Sequence, residues 1–423
     1  MNVFDISSIL VTLSALLMYI NFKYVKLPTT IGLMGLSLIL SSIVFVSGYI
    51  NPSIISYSIS LIDSIDFNKA LMGGMLSFLL FAGALHVDIN DLLEQKILIA
   101  ILATLGVIFS TIVVGSLVYY ILPIFGMQID YIYCLLFGAL ISPTDPIAVL
   151  GILKETSAPK SLETTIAGES LFNDGVGVVV FTVILAIATE GIHSHINISE
   201  IFLLFIEEAV GGILYGLALG YIFYSFLRSV DNYSVEILLT LALVMGGYSL
   251  AHSLHISGPL AMVVAGLFIG NHGKMFAMSE ITHKQLFSFW ELIDEFLNAV
   301  LFVLMGIQIL VISFSLNYLL MGIILIPLIL CIRFIGVSFP LLVMGDSANL
   351  VNGASKVMTW CGLRGGISIA LALSISNIPE KPLIVAITYI VVAFSILVQG
   401  LSSKKLVDYI LKAEANVDKE ISP

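Results

Sequence analysis

The chain has 423 residues, 59% of them hydrophobic and only 11% charged, with a formal net charge of −11 and a mean hydropathy of +1.10. So few polar residues cannot cover a water-soluble protein of this length, so that class is excluded and a polytopic membrane protein is indicated. The acidic balance is spread over short loops and apolar runs, and it gives no reason to expect a nucleic-acid partner.

The first apolar run, near 6–22, has no basic residue ahead of it, and Lys23 and Lys26 follow it. That order marks a first span that stays in place rather than a cleaved signal. Further runs of spanning length or near it recur at about 29–48, 69–87, 96–122, 130–153, 161–189, 200–228, 234–254, 258–271, 283–313, 316–344, 350–376 and 381–410. The expected fold is therefore an all-α membrane protein with thirteen transmembrane helices, a connection over 49–68 and a short charged cytoplasmic tail over 404–423. Cys134, Cys331 and Cys361 all lie in apolar runs and set up no disulfide framework. No GxxxxGK[ST] occurs, so transport would draw on ion gradients rather than on a P-loop motor.

Basic residues orient the map, because they favour the cytoplasmic side. With the N-terminus outside, Lys23, Lys26, Lys96, Lys154, Lys160, Arg228, Lys274, Lys284, Lys356, Lys404, Lys405, Lys412 and Lys419 fall inside, and only Lys69 and Lys381 outside. The two remaining cations, Arg333 and Arg364, fall within spans eleven and twelve and need partners. The whole chain, 1–423, reads as one membrane domain. Within it, inverted six-helix repeats over about 6–189 and 234–410 are joined by the span 200–228, the plan in which transporter sites form at broken helices. The breaks lie at equivalent positions: Pro143 and Pro146 around Thr144 and Asp145 in span five, and Gly362, Gly365 and Gly366 around Arg364 in span twelve.

The chemistry concentrates in the segment 168–181, GESLFNDGVGVVVF. A charge at bilayer depth costs from about 3 to more than 10 kcal/mol, so Asp174 there asks for a cavity or a partner. Helical spacing stacks Ser170 under Asp174 and Glu169 under Asn173. Carbonyls freed at the span-five break, the Thr144 hydroxyl and the Asp145 carboxylate are hard oxygen ligands that suit an alkali cation, and Asp174 on the next span completes such a site. A carboxylate that holds either a proton or a cation, never both, couples their fluxes. Asn173 adds a ligand or a hydrogen bond without a second exchangeable charge. Glu169 and Arg333, both otherwise unpaired, are expected to pair between spans six and eleven, and Arg364 to offset the carbonyl ends at a helix break.

The motifs SPTDP, GESLFNDG and LRGG, in this order, resemble the monovalent cation:proton antiporters of the bacterial NhaP type, relatives of the eukaryotic sodium/proton exchangers. The resemblance extends over nearly all the spans. It implies a homodimer in the cell inner membrane with a dimerisation domain and an elevator-like core. It also implies exchange of Na⁺ or Li⁺ for H⁺ in sodium and pH homeostasis, electroneutral because asparagine precedes the aspartate. Asp174 would bind the ion, with Asp145, Thr144, Ser170 and Asn173 near it, and Glu169 would pair with Arg333. No cofactor and no enzymatic activity are implied. One departure stands out: many relatives carry FEGAL in span three, where this chain has FAGAL, with Ala82 at the glutamate position and His86 nearby.

Rival readings remain open at this stage. K⁺/H⁺ exchange keeps the fold and changes the ion. An intramembrane aspartyl protease using Asp145 and Asp174 lacks its expected GxGD context, and the GxSxG elbow fails because Phe172 stands at the last glycine position. A sodium-coupled organic anion symporter would need a solute. Asp145 has a structural reading as the cap of a broken helix. His86, His193, His195, His252 and His255 read as interfacial. The Gly212, Gly216, Gly220 row permits close packing within or between protomers. Glu207, Glu208, Glu291, Asp294 and Glu295 suit a solvated face or an acidic funnel.

Overall fold

The computed structural model describes residues 3–63, 65–145, 147–154, 156, 158–190, 198–273, 275, 277–348, 350–375 and 378–410. Pro146, His193, His195, Lys274, Lys412 and Lys419, singled out above, lie outside these residues, as does the tail beyond 410. The described residues are helical, with one isolated antiparallel bridge, Asp145 to Leu363, in place of any sheet.

The first half of the chain holds α1 (Val3–Ile20), α2 (Thr29–Ile50), α3 (Pro52–Asp63), α4 (Phe67–Ala70), α5 (Leu76–Leu85), α6 (Ile89–Glu94), α7 (Lys96–Ile101), α8 (Val107–Ile121), α9 (Tyr131–Ile141), α10 (Ile147–Lys154) and α11 (Lys160–Glu190). The rest holds α12 (Ile198–Arg228), α13 (Tyr233–Ser253), α14 (Gly258–Phe268), α15 (Glu280–Gln308), α16 (Leu316–Met344), α17 (Ala354–Cys361), α18 (Gly366–Ser374) and α19 (Lys381–Phe394). Short polar residues start several of them: the side chains of Asp66, Asn232, Ser257, Ser279 and Ser315 each accept a backbone amide of the following turn.

Among the described residues, nine helical runs are long and apolar enough to cross a membrane. The other four predicted spans are helical but of a different kind. Spans five and twelve are broken, into α9 and α10 and into α17 and α18. The ninth, α14 with the π-helical turn Ile269–Gly273, is short, and the tenth, α15, carries Glu291, Asp294 and Glu295 along its length. The connection predicted over 49–68 contains the short helix α3.

Packing sorts the helices into two bundles. In one, α8 lies along α9, α11 along α9, and α16 along α19; in the other, α2 lies along α15, α5 along α14, and α13 along α14. Small residues set these distances, since in a bilayer close packing supplies much of the association. A Cβ on Gly138 would stand 2.2 Å from the Thr111 carbonyl oxygen, so α8 and α9 touch backbone to backbone. The glycine row of α12 serves the same end within the chain: Gly212 and Gly216 approach the carbonyls of Ser257 and Ala261, at 2.6 and 2.5 Å from a built Cβ. That assigns the row to the seam between α12 and α14.

Candidate functional site

The two broken spans cross at their breaks. The Asp145 amide donates to the Leu363 carbonyl at 2.7 Å, which is the bridge named above. Neither break can supply its own helical hydrogen bonds, so each uses the other, as buried backbone groups in a bilayer require. Arg364 closes the joint. Its Nη1 donates to the carbonyls of Ser142 and of Pro143, the latter at 2.8 Å, while its amide donates to Ser395 Oγ at 2.9 Å. A buried guanidinium thus sits on the carbonyl end of α9, where a cation is favoured.

Asp145 faces two ways. Its Oδ1 accepts the Ile147 amide at 2.9 Å, which makes it the cap of α10, the structural reading weighed from the sequence. Its Oδ2 lies against Gly365, where a built Cβ would stand 2.2 Å away. Only glycine fits there. Gly365→Ala is expected to push the breaks apart, costing about 1–3 kcal/mol as overpacking does, with a lower thermal midpoint and reduced ion flux. A variant matching the parent in both would show that the contact is dispensable.

Asp174, on α11, is 8% exposed, and its carboxylate accepts no hydrogen bond from any described residue. It opens instead, with Asp145, onto a cavity of about 610 Å³ between the two bundles. Thr144, Ser170 and Asn173 are not among the residues that line this cavity. They form their own cluster behind its wall: Asn173 Nδ2 donates to Thr144 Oγ1 at 2.8 Å, Asn173 Oδ1 accepts the Thr144 amide at 3.2 Å, and the hydroxyls of Thr144 and Ser170 lie 2.9 Å apart. In this conformation those three side chains tie span five to span six, while the two aspartates face the open space.

Glu169 and Arg333 meet, with Nη2 donating to Oε2 at 2.8 Å and Nη1 to Oε1. Both are buried, and the pair joins α11 to α16. Neither lines the cavity.

The cavity walls answer the question left by the acidic residues. Glu291, Asp294 and Glu295 line it, as do Asp88, Asp91 and Glu163, which the sequence reading did not single out. Glu207 and Glu208 do not line it. Lys160 sits on the same wall and pairs with Asp91 at 2.5 Å. The missed residues lie at helix ends beside polar loops, where acidic side chains are common, and only their convergence on one space distinguishes them. Ala82 lines the wall too, so the position that carries a glutamate in many relatives faces this space without a charge. His86, read from the sequence as interfacial, also lines it, with Nδ1 2.8 Å from the Ala82 carbonyl oxygen.

Comparisons with known proteins agree with this architecture. The family described as "Sodium/hydrogen exchanger, transmembrane" matches residues 12–408. The chain is 49% identical over 408 residues to the Na(+)/H(+) antiporter NhaP of Pseudomonas aeruginosa, covering 95% of this chain and 96% of that protein. It is 34% identical over 344 residues to the Na(+)/H(+) antiporter NhaH of Halobacillus dabanensis, covering 81% and 83%. The solved structure of the sodium proton antiporter MjNhaP1 from Methanocaldococcus jannaschii at pH 8 matches with a TM-score of 0.72 at 22% identity, covering 95% of this chain and 96% of that one. That last likeness speaks for the fold. With the family match running through nearly every helix and both breaks, the chain belongs to the sodium/hydrogen exchanger family.

Proposed function

We propose that this protein is a secondary-active antiporter that exchanges Na⁺ or Li⁺ for H⁺, one for one, at Asp174. The observation that carries the reading is a carboxylate within a membrane helix that has no hydrogen-bond partner among the described residues and faces a cavity beside two broken helices. Desolvation makes a bare carboxylate there costly, so a proton or a cation occupies it, and the two exclude each other. The names of the relatives, Na(+)/H(+) antiporters, support sodium over potassium. With asparagine at 173, one exchangeable charge carries either ion, which supports electroneutral exchange.

Asp88, Asp91 and Glu163 line the cavity at helix ends, where Asp88 is exposed, and that end is read as its mouth. The distribution of lysines supports placing that end in the cytoplasm and the N-terminus outside, so this conformation faces inward. Acidic walls concentrate cations at the mouth. Alternating access then moves the bundle bearing the breaks past the other bundle, with the site between them. Thirteen crossings in two inverted repeats, a homodimer and a place in the cell inner membrane complete the proposal.

Everted membrane vesicles with a pH-sensitive dye test it. Adding Na⁺ or Li⁺, with no organic solute, is expected to dequench the dye. A response to K⁺ but not Na⁺ overturns the sodium assignment and favours the potassium exchanger, and a response that requires an organic anion favours symport.

A further inference from the structure

Ser368 is 1% exposed and belongs to the first turn of α18. Several buried helical hydroxyls of this chain bond back to the preceding turn, among them Thr111 to Val107, Ser142 to Gly138, Thr388 to Ile384 and Ser403 to Gln399. Ser368 makes no such bond and no other side-chain hydrogen bond to a described residue. Ser368 lines the cavity that holds Asp145 and Asp174. It is three residues beyond Gly365, whose Cα abuts the Asp145 carboxylate. At a rise of 1.5 Å per residue, Ser368 lies about 4.5 Å further along the helix axis and on the same face.

We propose that the Ser368 hydroxyl is a ligand of the transported cation, the oxygen that completes its shell on the side away from the mouth. An alkali cation needs several hard oxygens. Asp174 and Asp145 line the cavity, but the Thr144 and Ser170 hydroxyls lie against each other and Asn173 donates to Thr144. The Ala82 side chain supplies no oxygen from span three. Thr164 also lines the cavity, but it stands ten residues before Asp174 on α11, about 15 Å toward the mouth. Ser368 is the other hydroxyl-bearing residue on the cavity wall, about one turn along from the glycine that abuts Asp145. The helix α18 runs from the break towards the end of the molecule where Asn68 Nδ2 donates to the Ala370 carbonyl at 2.9 Å, so Ser368 stands beyond Asp145 along the exit direction. The cation would meet it last on entry from the cytoplasm and first on return from outside.

The inference rests on the antiport reading, and the experiment separates the two. Cation-dependent proton flux is measured in everted vesicles for the parent, Ser368→Ala, Ser368→Cys and Ser368→Thr, with Asp174→Asn as the blank. The alanine and cysteine variants are expected to raise the half-saturating Na⁺ concentration about tenfold, the equivalent of one ligand contact, with the maximal rate within about twofold of the parent. Threonine, which keeps the hydroxyl, is expected to restore the parent value. Cysteine keeps nearly the same volume, so a packing role would spare it and a ligand role would not. Parent-like half-saturation in both Ala and Cys, or a fall in maximal rate with half-saturation unchanged, overturns the assignment of Ser368. A parent with no cation-dependent flux overturns the antiport reading itself.

Discussion

Asp174→Asn is expected to abolish cation-dependent proton flux, down to the level of vesicles without the protein, while leaving the folded protein at least as stable as the parent. The two halves have one cause. Asparagine nearly preserves the shape but cannot take up or release a proton or neutralise a cation. The carboxylate accepts no hydrogen bond from a described residue and is 8% exposed, so removing its charge strands no partner and relieves a desolvation cost. Flux and thermal midpoint, measured on the same preparation, check both. In the parent, the half-saturating Na⁺ concentration is expected to rise as pH falls, approaching tenfold per unit once protons dominate the site. Residual exchange in the asparagine variant, or half-saturation indifferent to pH, would falsify competition at this residue.

The second large effect is on stability. Glu169→Gln leaves the Arg333 guanidinium, 9% exposed, buried without its counter-charge, and breaking such a pair costs about 3–5 kcal/mol. Arg333→Met strands Glu169 in the same way. Replacing both partners with apolar residues, as in Glu169→Leu with Arg333→Met, removes both buried charges together and is expected to be less destabilised than either single variant. Unfolding in detergent, followed for the parent, Glu169→Leu, Arg333→Met and the double variant, gives the coupling directly. Additive losses would show that the pair is not an energetic unit, although its atoms are in contact. Because neither residue lines the cavity, the double variant is also expected to keep measurable flux.

The helical class, the membrane setting, the two helix breaks and the Glu169 to Arg333 partnership were legible in the chain, because each follows from a local or pairwise rule. Apolar run length reports crossing, paired prolines and glycines report interruption, and a buried charge without a local mate asks for another. The role of the α12 glycines was not legible, since a small-residue row says only that a backbone comes close. The acidic lining was half legible: Glu291, Asp294 and Glu295 have helical spacing, but Asp88, Asp91 and Glu163 come from other elements and share nothing in sequence.

What the amino-acid order determined alone, then, is which residues bear charge at membrane depth and where the helices must break, because desolvation and backbone hydrogen bonding act on each segment by itself. Which oxygens remain free was decided only by the tertiary structure. Thr144 and Ser170 share motifs with the two aspartates, yet their hydroxyls lie against each other and Asn173 donates to Thr144, while Ser368, 194 residues beyond Asp174 in sequence, lines the cavity with Asp145 and Asp174. Hydrogen-bond capacity is spent between helices, and no segment read in isolation shows where it has gone.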